Sequence, residues 1–251
     1  MADWRHATSE SVASIKRTVF FITKLVLCTK ILILQVNKCI VMIETTLARS
    51  STSRICYIIL PEGLREDGLH WMQEAALRFD ISIVALRGVE WNDDLTPWPA
   101  AGVFKKAKPF AGRAAQFLPE LISSIEEFEK AHTFDHPERT LIGISLSGLF
   151  SLWAGYSCDA FSRVCAISGS LWYDGFADWC AEHRLSPAIR QVILTLGDRE
   201  KNSKDARMSQ VQVLTEKIVS HIDCATYILE SDTTHFSPIL PRLELVFSKL
   251  G

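Results

Sequence analysis

The chain has 251 residues, 48% of them hydrophobic and 22% charged, a globular balance that excludes a disordered or fibrous protein. Its 27 Lys and Arg against 29 Asp and Glu leave a net charge of -2, so nothing in the bulk charge draws it to nucleic acid or anionic lipid. Twelve Gly and nine Pro are too few for a linker protein, and the length suits one α/β domain with a sizeable core.

Residues 18–42, TVFFITKLVLCTKILILQVNKCIVM, are strongly apolar but are interrupted by Lys24, Lys30 and Lys38. A spanning helix needs about 20 nearly unbroken apolar residues. A secretory signal needs a basic start, an uninterrupted apolar run and a small-residue cleavage site. Neither pattern is met. Residues 1–50 are therefore expected to pack as strands on the sheet, with no membrane span, and Met42 is a candidate alternative start. The main domain is expected over 51–251.

From Arg54 onward, short β-branched runs alternate with amphipathic stretches. ICYIIL (55–60) and ISIVAL (81–86) read as buried strands, with a helix over GLHWMQEAALRF (68–79) between them. A long loop rich in Pro, Asp and Trp follows over 88–104. AGRAAQFLPELISSIEEFEKA (111–131) has helical spacing, and Pro119 near its middle allows a kink or a split. TLIGIS (140–145) is a strand and LSGLFSLWAGY (146–156) a helix. RVCAIS (163–168), QVILTL (191–196) and ATYILE (225–230) are further strands. Helices are expected over 203–222 and within 237–250, the last starting late because of Pro241. This alternation predicts a mostly parallel sheet with helices on both faces. Right-handed crossovers then put every C-terminal strand end on one ligand-binding edge.

The seven cysteines, Cys28, Cys39, Cys56, Cys158, Cys165, Cys180 and Cys224, are odd in number and scattered, with no C-x-x-C pair. A disulfide framework or zinc ribbon does not fit that spacing. Reduced core thiols in a cytoplasmic protein do.

The motif carrying most chemistry is Gly143-Ile144-Ser145-Leu146-Ser147-Gly148, between a strand and a helix. It varies G-x-S-x-G, with Ser147 in the second glycine position. A nucleophile on a tight strand-to-helix turn needs small neighbours on either side. The backbone N–H of Leu146, at the helix N-terminus, is placed to stabilise an oxyanion. In enzymes built on this turn, an acid and then a histidine follow the serine in the chain. Here Asp198 and Glu200 follow QVILTL, and His235 follows ATYILE. Glu200 is favoured for its spacing after the strand, with Asp198 as the alternative. His6, His70, His132, His136, His183 and His221 occupy the N-terminus, helical patterns or turns.

The run IGISLSGLFSLWAGYSCDAFSRVCAISGSLWYDGF resembles the esterase family of α/β-hydrolases that includes esterase D-like and enterochelin-esterase-like enzymes. WNDDLTPWPA before it, LTLGDREKNSK after it and THF near the end resemble the same family in the same order, over about residues 55–250. The resemblance implies an α/β-hydrolase fold and a serine carboxylic-ester hydrolase working on a small-molecule ester without metal or organic cofactor. Its nucleophile falls on Ser145, its acid on the GDRE segment and its base on His235. The chain departs from the family at Ser147, and at Pro61-Glu62-Gly63, where many relatives carry a His-Gly oxyanion loop. The backbone N–H of Glu62 or Gly63 is the candidate second oxyanion donor.

Trp91, Trp98, Trp172 and Tyr173 lie on loops after strands and are candidate pocket walls for an apolar, aryl or sugar-ring face. Asp93 and Asp94 either orient a polar substrate or cap turns. No zinc-spaced cluster or phosphate-binding glycine loop occurs. Acyl transfer or thioester hydrolysis suits the same three residues, and a non-catalytic binding scaffold is the rival from another class. The apolar N-terminal stretch offers an edge for pairing between subunits.

Overall fold

The computed structural model describes residues 31–36, 39–46, 53–60, 66–103 and 107–250. Strands β1 (Ile31–Val36) and β2 (Cys39–Thr46) pair antiparallel at one edge of the sheet. The other six are β3 (Arg54–Ile59), β4 (Ser82–Arg87), β5 (Glu138–Ile144), β6 (Arg163–Ile167), β7 (Gln191–Gly197) and β8 (Ala225–Glu230). These six are mutually parallel, β2 pairs antiparallel with β4, and the full sheet order is β1-β2-β4-β3-β5-β6-β7-β8. Strand order reverses at β3, which places the switch point beside β5. Of the N-terminal segment expected to pack as strands, residues 31–36 and 39–46 form this edge pair. Residues 1–30, 37–38 and 47–50 lie outside the described residues.

Successive strand residues point to opposite faces, and the two cores follow that period of two. Ile55, Tyr57 and Ile59 pack on one side, against α3 (Ala114–Ala131), α4 (Leu146–Ser157) and α5 (Phe176–Glu182). Val211 and Ile218 of α6 (Val211–Val219) join that core. Cys56, Ile58 and Leu60 pack on the other, against α1 (Glu66–Phe79) and α7 (Ile239–Phe247). The remaining helix, α2 (Trp91–Asp94), is a single turn inside the long loop after β4.

Three expectations need correction. No split occurs at Pro119, and α3 runs through it. Pro119 and Ala115, whose carbonyl loses its N–H partner, are both exposed, so the freed group is not sealed in the core. Helix α6 begins at Val211, not at residue 203. Before it, Asp205 Oδ1 accepts the N–H groups of Arg207 (2.9 Å) and Met208 (3.0 Å), and this local bonding displaces the helix. Finally, α7 starts at Ile239, ahead of Pro241. Proline is tolerated in a first turn, where N–H groups have no helical partner.

Away from the strand C-termini, a buried polar group locks α3 to the sheet. Tyr57 donates to Glu129 Oε1 at 2.8 Å, and Arg139 donates to both Glu129 oxygens at 2.8 and 2.6 Å. Burial, and then Glu129 beside it, push the Tyr57 hydroxyl pKa up, so it remains a donor. Glu129→Ala should cost about 3 kcal/mol in urea unfolding, because it leaves a buried hydroxyl and a largely buried guanidinium without their acceptor. Burial likewise pushes the Cys56 and Cys180 thiols up to about 12, so they act as packing groups.

Candidate active site

Four adjacent strands deliver their exit loops to one edge. Ser145 follows β5, Ser168 and Ser170 follow β6, Glu200 follows β7 and His235 follows β8. Ser145 has φ 60° and ψ -122°, a left-handed conformation that costs energy outside glycine. Its N–H donates to the Ile167 carbonyl (3.1 Å), and its own carbonyl accepts from Ser170 N–H (2.9 Å). The turn is too tight for a side chain at Gly143, where a Cβ would lie 1.9 Å from the Ser147 carbonyl oxygen. Ser147, in the second glycine position, uses its hydroxyl as a staple. It accepts the Ile144 N–H at 2.7 Å and lies 2.9 Å from the Ile59 carbonyl and 2.8 Å from that of Ile144, donating to one of the two. Leu146 opens α4, so its backbone N–H has no partner within that helix.

His235 Nε2 lies 3.1 Å from Ser145 Oγ, and its Nδ1 lies 3.0 Å from Glu200 Oε2. A carboxylate only accepts, which assigns the ring proton to Nδ1 and leaves Nε2 free to accept from the serine. The other carboxylate oxygen, Glu200 Oε1, accepts the Ser168 hydroxyl and the Gly197 N–H (2.8 Å), with Arg242 Nη2 at 3.8 Å. Burial opposes ionisation of Glu200. The hydrogen bonds from His235, Ser168 and Gly197 outweigh it and hold the carboxyl below its ordinary value of 4.5. The ionised form therefore adds stability above that value, and the gain is lost as pH falls through the lower folded value. The urea midpoint of the wild type should exceed that of Glu200→Gln at neutral pH, with the difference narrowing as the pH falls below 4.5.

The sequence alternative for the acid, Asp198, is not at the imidazole. Its carboxylate accepts the Thr233 N–H at 3.3 Å, and its own N–H donates to the Glu230 carbonyl. These bonds clamp the loops after β7 and β8 together. They leave no room for a side chain at Gly197, where a Cβ would lie 2.3 Å from the Thr233 carbonyl oxygen. Glu62 and Gly63, the candidate second oxyanion donors, lie outside the described residues.

Beside His235 is a cavity of about 220 Å³ whose wall includes Trp172, Met208, Val211 and Phe236. Of the four aromatic residues expected at the pocket, Trp172 lines this cavity, and Tyr173 lines a neighbouring one together with Trp172. Trp91 packs on the main core. Tyr173 is buried and donates to the Trp98 carbonyl at 2.6 Å, while Trp98 packs against Tyr173, Phe176 and Trp179. These rings build the support behind Trp172. Asp93 and Asp94 pair with Lys108 and Arg113 at 2.7 and 2.8 Å. Among the described residues no cluster of three or more His, Cys, Asp or Glu is placed to hold a metal ion, and no helix is long and apolar enough to cross a membrane.

Sequence reasoning missed Ser168, Ser170, Arg242 and the wall formed by Met208, Val211 and Phe236. Ser168 and Ser170 had a signal, since they follow a strand on the same edge as Ser145. Arg242 had none: it lies in a helical stretch where a charge reads as surface, yet it is buried against Glu230 with bonds of 2.9 and 2.7 Å.

No family model matches the chain. The uncharacterized protein YbbA of Bacillus subtilis (strain 168) is 30% identical over 170 residues, spanning 64% of this chain and 68% of YbbA. The chain belongs to the YbbA family. Among solved structures, siderophore hydrolase EstB from Aspergillus nidulans aligns with a TM-score of 0.62 at 16% identity, covering 84% of this chain and 89% of EstB. An alpha-beta serine hydrolase homologue from Coxiella burnetii aligns with a TM-score of 0.60 at 15% identity, covering 90% and 98%. This member of the YbbA family therefore has the α/β-hydrolase fold, as the sequence resemblance implied.

Proposed function

We propose that the chain is a cytoplasmic serine hydrolase that cleaves small carboxylic esters through an acyl-enzyme. The observation that carries this reading is the unbroken line from Ser145 Oγ through His235 to Glu200, at 3.1 and 3.0 Å. Its location supports the reading too: a strained serine at a helix N-terminus, on the ligand-binding edge of an α/β-hydrolase sheet. The scattered, odd cysteines support the compartment.

In the proposed reaction, Ser145 Oγ attacks the ester carbonyl carbon while His235 Nε2 takes its proton. The carbonyl oxygen becomes an oxyanion facing the Leu146 N–H. The intermediate collapses, the bond to the alkoxy oxygen breaks, and His235 passes the proton to the departing alcohol. Water then attacks the acyl-enzyme, giving a proton to His235. The carboxylic acid departs and the proton returns to Ser145. Glu200 keeps the Nδ1–H tautomer throughout and stabilises the transient imidazolium.

The test is turnover of p-nitrophenyl acetate and butyrate followed from the first milliseconds. A burst of nitrophenolate matching the enzyme concentration, then a slower steady rate, is expected for an acyl-enzyme whose hydrolysis limits turnover. Absence of hydrolysis of either ester would refute the reading.

A further inference from the structure

We propose that the cavity beside His235 receives the alcohol half of the ester and that this alcohol carries a single uncharged aromatic ring. The inference rests on the esterase reading and assigns the side of the substrate that the cavity selects. His235 Nε2 must hand its proton to the departing alkoxy oxygen, so that oxygen lies within hydrogen-bond reach of the imidazole. Whatever is attached to it extends past the ring. Its wall includes His235 and Glu200 with the apolar Trp172, Met208, Val211 and Phe236, and the uncharged polar Asn202, Ser203 and Thr234 contribute the rest beside Arg199. The lining includes His235, the group that protonates the departing oxygen, and neither Ser145 nor Leu146, and this contact with the proton donor assigns the cavity to the leaving-group side.

Size and chemistry narrow the occupant. A dry cavity of about 150 Å³ holds benzene. The cavity here, about 220 Å³ and open to solvent on one side, has room for one ring and a short linker. The charges at the wall are already paired, Glu200 with His235 and Arg199 with Asp232. A neutral ring therefore suits the site better than an alcohol bearing a carboxylate or an ammonium.

Phe236 is the strongest pointer. It is 91% exposed, the most exposed of the large hydrophobic side chains among the described residues. It stands edge-on to His235, with ring centroids 5.3 Å apart and planes at 84°. Its loop is fixed by the Ser237 N–H to the Thr234 carbonyl (3.1 Å) and the Thr234 N–H to Ser237 Oγ (3.0 Å). An apolar ring held in water at the mouth of a cavity is a surface waiting for an apolar partner.

The experiment compares benzyl acetate, ethyl acetate and ethyl butyrate with the wild type, Phe236→Ala and Met208→Ala. The leaving alcohols of the two acetates are of similar acidity, and both form the same acetyl-enzyme. Their kcat/KM ratio therefore reads the alcohol side, whereas the butyrate-to-acetate ratio reads the acyl side. Ratios do not depend on how much of a variant is folded. The wild type should prefer benzyl over ethyl acetate by about 10- to 100-fold. Each variant should reduce that preference by about 5-fold or more and move the butyrate-to-acetate ratio by less than about 2-fold. No benzyl preference, a preference untouched by both variants, or a shift in the acyl ratio instead would overturn the assignment while leaving the esterase reading standing. If none of these esters is turned over, the cavity assignment fails, and if Ser145 also resists a fluorophosphonate the esterase reading fails with it.

Discussion

Replacing Ser145 by Ala should lower the turnover of p-nitrophenyl acetate by about 100,000-fold or more, with little change in thermal stability. Removing the nucleophile of a serine hydrolase leaves only the oxyanion donor and substrate binding to act on the ester, and losses near a million-fold follow elsewhere. The fold should not notice. Among the described residues the Ser145 hydroxyl has hydrogen-bond contacts only to His235 Nε2 at 3.1 Å and Ser170 Oγ at 3.4 Å. The backbone bonds that hold the turn come from its N–H and carbonyl, which alanine keeps. Steady-state rates beside a thermal melt check both halves. Equal turnover in the two proteins would remove the nucleophile assignment.

Glu200→Gln is expected to lower kcat by about 10,000-fold, whereas Asp198→Asn should stay within about 10-fold of the wild type. The reason is the number of donors around Glu200. Nδ1–H of His235 faces one oxygen, and the Ser168 hydroxyl and Gly197 N–H converge on the other. A carboxylate accepts all three, whereas a carboxamide must turn its NH2 toward one side. Facing His235, the NH2 drives the imidazole into the other tautomer, with a proton on Nε2 that blocks acceptance from Ser145. Facing Ser168 and Gly197, it sets donor against donor in a buried site. Asp198 accepts one backbone N–H, from Thr233, which an asparagine oxygen also accepts. Reversed sizes for the two variants would exchange the roles of these acids.

Much of this site was legible because the fold's logic acts through strand ends. Once TLIGIS, QVILTL and ATYILE read as parallel strands, the residues just beyond each were bound for one edge. Ser145 and His235 fell there without any knowledge of side-chain direction. The choice between Glu200 and Asp198 is harder, since both follow the same strand within three residues. Only the turn itself, in which Glu200 opens a short 3-10 segment and folds back onto the Gly197 N–H, separates them. The aromatic wall was read less well. A tryptophan in a loop gives the same signal whether it faces substrate or braces its neighbours, and Trp91 and Trp98 do the latter. Phe236 went unremarked because nothing in a sequence shows that an aromatic side chain is left in water. The helix expected from residue 203 failed for a related reason, since Asp205 bonds to backbone two and three residues ahead and a periodicity argument does not see that competition.

The most direct measurement is to treat the protein with a fluorophosphonate and map the adduct by peptide mass spectrometry. A serine activated by His235 and Glu200 should take one phosphonyl group per chain, on the peptide containing Ser145, and Ser145→Ala should take none. A chain that stays unlabelled, or that carries the adduct on another residue, would contradict the proposed catalytic centre.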